Sequence, residues 1–264
     1  ALRSVFSDRP VAFHGVKQAI GHTLGATGAI EATVVVDALG SGHHPPHPQH
    51  IAETLGLEVP DAAGPPTIAL STNSAFGGAN ASVVLARPGA VAPRKQSPRP
   101  VGTVEGPEVR VPPGRVDWKA LWPDAPERFL RFDRYVRLGM LALARLFEKV
   151  PPTLETGIVL ASPSGCRAMD LRYHERLVRL GAAMASRRDF IYTVPGGPAA
   201  EASIHWDLRG PFLILVGPGE QALEEAARLV RWGRATRLVA LDVEAPTPDI
   251  EARAKATLVH KREQ

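Results

Sequence analysis

Three short apolar runs constrain the fold of this chain most: GIVLAS at 157–162, FLILV at 212–216 and RLVALDVE at 237–244. Each is of strand length and rich in branched residues, as strands covered on both faces require. Between and before them lie PERFLRFDRYVRLGMLALARLFEKV, RYHERLVRLGAAMAS and EQALEEAARLVRWG, whose apolar residues recur at helical spacing. Strands that alternate with amphipathic helices predict an α/β architecture with helices layered on both faces of a sheet. The chain has 264 residues, 44% of them hydrophobic and 22% charged, which is enough apolar material to build a core. No apolar run reaches the ~20 residues of a membrane span. The formal charge of +4 and the 6% aromatic content exclude neither solubility nor a protein partner, but they give no support to nucleic-acid binding. With one cysteine, Cys166, no internal disulfide can form. The first residues, ALRSVFSDRP, lack the layout of a signal peptide, and a cytoplasmic location is the expectation.

Composition divides the chain. Residues 1–88 read as a short αβ unit: VAFHGVKQAI as a strand entering a loop, GATGAIEATVVVDALG as a helix stopped at Gly40, and PTIALSTN and ASVVLARP as a hairpin joined by SAFGGAN. Residues 89–100, rich in Pro and basic side chains, read as a linker. Residues 101–250 hold the second unit, and 251–264 read as a charged tail, either a surface helix or frayed.

Two stretches of the first unit carry chemistry. In KQAIGHTLGATGAIEA, Lys17 and His22 precede a helix that opens with small residues, which allow close approach of backbone and ligand. A histidine there can exchange a proton near neutral pH. In STNSAFGGANAS, Phe76 precedes Gly77 and Gly78 between two strands, with Asn80 after them. Such a turn can offer backbone N–H groups to an oxyanion.

Together these stretches resemble the C-terminal half of a β-ketoacyl-[acyl-carrier-protein] synthase of the thiolase superfamily, through Lys17-x3-GHTLGATGAIEA and STNSAFGGANAS. The resemblance implies that His22 is the histidine that assists decarboxylation of a malonyl unit and that Lys17 tunes it. Phe76 then stands as the gate whose N–H helps form the oxyanion hole, within the substrate loop of Gly77, Gly78 and Asn80. Gly15 stands where the family often has Ser, and Ser74-Ala75 replaces the usual Phe-Gly. The second unit resembles the N-terminal half of the same family through RFDRYVRLGMLALARL and FIYTVPGGPAAEASIHWDLRGP. At the position of its nucleophilic cysteine, at the end of a strand before a helix, this chain has Val216, a degenerate nucleophile position. Cys166 does not match that position and reads as an incidental thiol.

The resemblance implies a thiolase-like layered αβαβα fold built from two truncated ketosynthase half-units. The function it implies is part of the decarboxylative Claisen condensation of acyl thioesters with malonyl-ACP, in fatty acid or polyketide biosynthesis. Acyl carrier protein is the implied partner, alongside a homo- or hetero-dimer with a ketosynthase; no cofactor is implied. Cysteine and first histidine of such a synthase would lie upstream of Ala1, so the chain alone should not condense. A non-catalytic, chain-length-factor-like accessory subunit is the alternative.

Three further features compete. Gly217, Gly219 and Ala222 follow a strand and open a helix, with Asp242 twenty residues on, as in a dinucleotide fingerprint. His43, His44, His47 and His50 crowd together, but intervening prolines spread them, so no metal site is expected. The basic helix faces (Arg128, Arg131, Arg134 and Arg137; Arg228, Arg231 and Arg234) suit an acidic carrier protein, with Arg131 and Arg134 as the residues to test.

Overall fold

The computed structural model describes residues 14–45, 64–74, 80–92 and 97–262. The chain separates into two compact units, Ala1–Arg94 and Lys95–Gln264.

In the first unit, a single helical turn at Lys17–Ile20 stands where the sequence suggests a strand entering a loop. A short 3₁₀ turn, Leu24–Ala26, then leads into helix α1 (Thr27–Ser41). The helix runs past Gly40 and ends at Gly42, which takes the left-handed conformation (φ 79°) and donates its N–H to Ala38 O. Strands β1 (Ile68–Ser74) and β2 (Asn80–Ala86) form the expected antiparallel hairpin, in register from Ile68↔Ala86 to Ser74↔Asn80. Ile68, Leu70 and Val84 lie exposed on one face of it.

The second unit is a three-layer α/β/α structure. Its sheet runs β3 (Val101–Glu105), β8 (Ala252–Lys261), β7 (Arg237–Glu244), β5 (Gly157–Ser162), β6 (Phe212–Val216), with β4 (Val109–Val111) also paired to β8. Strands β5, β6 and β7 are mutually parallel, and β8 returns antiparallel. Alternation sorts their side chains. Ile158, Leu160, Val239, Leu241 and Val243 enter the larger core, whereas Val159, Ala161, Leu238 and Ala240 enter the smaller one.

Helix α2 (Arg134–Lys149) covers the larger core, its N-terminus capped by Asp133, whose carboxylate accepts from Val136 N–H at 3.0 Å. Helix α4 (Gly197–Trp206) crosses it at Gly139, where an added Cβ would come within 2.7 Å of Pro198 Cβ. Helix α5 (Glu220–Arg231) covers the other face with Ala222, Ala226 and Val230, four residues apart. Helix α3 (Arg167–Leu180) is mostly exposed.

The sequence reading is corrected at two strands and missed a helix. Residues 251–264 are no loose tail, because Ala252–Lys261 is a strand inside the sheet. Ala252, Ala254, Ala256 and Leu258 face the larger core, and the strand's charges pair across strands: Arg253 with Asp242 and Glu244, Lys255 with Glu105. FLILV is only half-buried, because β6 is the edge of the sheet. Helix α4, inside GGPAAEASIHW, carries too little apolar periodicity to stand out.

Candidate functional site

His22 sits at the mouth of α1. Its Nδ1 accepts the backbone N–H of Leu24 at 3.1 Å and lies 3.1 Å from the hydroxyl of buried Thr27, which is itself 3.1 Å from the Thr23 hydroxyl. An acceptor role at Nδ1 puts the proton of the neutral ring on Nε2. The ring is exposed, so Nε2–H is left as an outward donor. Leu24 makes this bond from the left-handed region (φ 50°), an uncommon conformation for a residue with a branched side chain. Small Gly25 and Ala26 follow it into the helix.

Lys17 Nζ meets Glu31 Oε1 at 2.8 Å, which ties the turn before His22 to the side of α1. The hairpin motif approaches the same helix end. A Cβ on Gly28 would lie 3.4 Å from the Asn73 amide, in ordinary contact, so β1 packs directly against the start of α1. At the mouth of the hairpin, Ser74 Oγ donates to Asn80 Oδ1 at 2.6 Å. Phe76, Gly77 and Gly78 lie outside the described residues, as do His47 and His50. His43 and His44 are described; His44 stacks on His14 with centroids 5.4 Å apart and shares a hydrogen bond with Gly64 O. Among the described residues no group of metal-ligating side chains converges.

Val216 ends β6 and is 77% exposed, just before the turn that opens α5. That turn does not present itself as a nucleotide cradle. The Asp242 carboxylate already packs on Gly219, where an added Cβ would fall 1.9 Å from its Cγ, and Arg253 pairs with it at 2.9 Å. The glycine makes room for this chain's own carboxylate. Burial raises the pKa of Asp242 even beside Arg253.

Cys166 is buried and N-caps α3, with the Asp170 carboxylate 3.5 Å from Sγ. Burial, then the Asp170 charge, pushes the thiol up to about 12, against the pull of the helix dipole. Several arginines thought of as docking groups are occupied within the unit. Arg134 reaches four backbone carbonyls (Val111, Pro112, Gly114 and Ile250), Arg137 lies over the Trp118 ring, and Arg128 pairs with Glu201. On α5, Arg228 pairs with Glu225.

Residues 1–50 match the family model described as beta-ketoacyl synthase, C-terminal domain. Comparison with the curated proteins finds no match. Among solved structures, the chain is similar to the ishigamide ketosynthase/chain length factor, with 18% identity and TM-score 0.48 over 55% of this chain and 48% of that one. It therefore spans about half the length of that relative. A ketosynthase in complex with its chain length factor from Xenorhabdus doucetiae is similar at 16% identity and TM-score 0.45, over 61% of this chain and 79% of the other. A third is a type II polyketide synthase acyl-carrier protein in complex with its ketosynthase bound to the hexaketide. It is 13% identical, with TM-score 0.48 over 62% and 59% of the two chains.

Proposed function

We propose that this chain is a component of a ketosynthase system, and that His22 acts on a malonyl thioester borne by an acyl carrier protein. The observation that carries the reading is the hydrogen bond from Leu24 N–H to His22 Nδ1, inside the segment that matches the family model. It leaves Nε2–H as the donor. Loss of carbon dioxide from a malonyl thioester sends the electron pair of the breaking C–C bond into an enolate. Nε2–H donates to the enolate oxygen and lowers that barrier. Lys17, through Glu31, holds the turn that carries His22. The resemblance gives Phe76, Gly77, Gly78 and Asn80 the role of the loop that offers donors to the same oxygen.

Condensation also needs an acyl-enzyme, and Val216 has no nucleophilic atom to form one. That valine favours the second reading, an accessory subunit of the chain-length-factor kind, which assists a partner that carries the cysteine. A homo- or hetero-dimer with a ketosynthase belongs to either reading.

The test is release of carbon dioxide from malonyl-carrier protein, followed as its conversion to the acetyl form by mass spectrometry. The catalytic reading expects conversion by the native chain and a loss of about a hundredfold in His22→Ala. Conversion no faster than in buffer would remove the catalytic role of His22 and leave the accessory reading.

A further inference from the structure

On α5, Arg228 pairs with Glu225, whereas Arg231 at its end and Arg234 beyond it pair with no carboxylate among the described residues. Gly233 turns the chain between them with a left-handed backbone (φ 66°). Two other segments are tied to this end by backbone hydrogen bonds. Arg99 N–H donates to Arg231 O at 2.8 Å, and Arg262 N–H donates to Pro100 O at 3.1 Å. Lys261 N–H donates to Thr236 O at 3.1 Å. A Cβ on Gly233 would fall 3.1 Å from the guanidinium carbon of Arg99, so that cation lies directly on the turn. Arg99, Arg231, Arg234, Lys261 and Arg262, all exposed, are thus gathered at one end of the second unit.

Ion pairs take up Lys255 on β8 and Arg228 on α5, but among the described residues none of these five. At the same end, the Glu155 carboxylate accepts from the Thr236 hydroxyl at 3.2 Å instead. A helix C-terminus attracts cations, which accounts for Arg231. It does not account for Lys261 and Arg262, where β8 ends, or for Arg99, in the approach to β3. Like charges brought together destabilise a fold unless something of opposite charge meets them. In their midst Trp232 is 41% exposed, a large amphipathic ring left at the surface.

We infer that this end of the second unit binds an anionic lipid surface, with the five cations over the headgroup phosphates and Trp232 among them at the interface. Clustered Lys and Arg beside an exposed Trp suit such a surface in charge and in polarity. The cations come from a loop, a helix end and a strand end. That spread fits a broad charged plane, not the single stripe that a partner helix would take. A lone phosphate would use one or two of the cations and leave Trp232 in water.

The test titrates the whole chain with vesicles of phosphatidylglycerol, or of neutral phosphatidylcholine, and reads binding by flotation and by Trp emission. The native chain should float with the anionic vesicles only, less so at high salt, and its emission should shift to the blue. Arg231→Glu/Arg234→Glu should weaken binding by about twentyfold or more, since each basic residue near an anionic surface is worth about fivefold. An unchanged melting temperature shows that this variant folds. Arg179→Glu/Arg187→Glu makes the same change in net charge elsewhere on the unit and should leave binding unchanged. Trp232→Phe should lose the blue shift. Binding that is absent, that is equal on neutral vesicles, or that falls equally in both double variants would overturn the inference. Binding of an acidic carrier protein or an RNA oligonucleotide at Arg231 and Arg234, without binding of the vesicles, would overturn it too.

Discussion

At the scale of single residues, position in the chain and chemical state part company. Cys166 begins a helix, where the dipole favours a thiolate, yet it is buried against Asp170 and its pKa rises to about 12. At pH 8 only on the order of one thiol in ten thousand is then ionised. Alkylation by iodoacetamide should be very slow at that pH and climb steadily through pH 9–11. Asp170→Asn removes the nearby charge and should speed it severalfold; an unchanged rate in the variant would show that Asp170 does not hold the thiol down. The sequence reads Cys166 as an incidental thiol, but gives no sign that Asp170 and burial hold it protonated. His22 is a similar case. Its type and neighbours were legible, whereas its tautomer depends on a left-handed Leu24, which no spacing rule foretells.

At the scale of elements, the readable segments were those whose pattern has one meaning. GIVLAS is apolar up to Ser162 and is buried throughout; EQALEEAARLVR repeats at helical spacing and packs by one stripe. ARAKATLVHK was misread because its charges suggested solvent, although they alternate with alanines and find opposite charges on neighbouring strands. Cross-strand pairing is a tertiary fact. So is the cost of the cap on α2. Burial raises Asp133 from its usual range to about 6, against the hydrogen bonds that favour its ionised form. A carboxyl whose folded pKa lies above its unfolded value contributes stability below the unfolded value, and loses it as pH rises through the folded one. Stability from this group is therefore complete below about pH 4 and gone above about pH 6. Asn caps as well as Asp and carries no charge. Asp133→Asn should therefore be more stable than the native chain at pH 7, by about 1–3 kcal/mol in urea unfolding, with the difference shrinking toward pH 4. A variant that is less stable at pH 7 would mean that the charge itself supports the helix.

At the scale of the whole molecule, the two units differ in how far the sequence could speak for them. The second unit encloses two cores on either side of its sheet, and hydrophobic pattern alone foretold its layers. In the first unit the motif segments were the legible part, and the hairpin and helix they sit on were read from their turn residues more than from burial. The proposed function draws its decarboxylating half from the hydrogen bond at His22, and Val216 is the reason it includes no acyl-enzyme. The most direct measurement is intact-mass spectrometry of the chain after incubation with an acyl-carrier protein, together with a search for β-ketoacyl product once malonyl-carrier protein is added. The account predicts a chain of unchanged mass and no β-ketoacyl product. A covalent acyl adduct on the chain, with product following it, would contradict it.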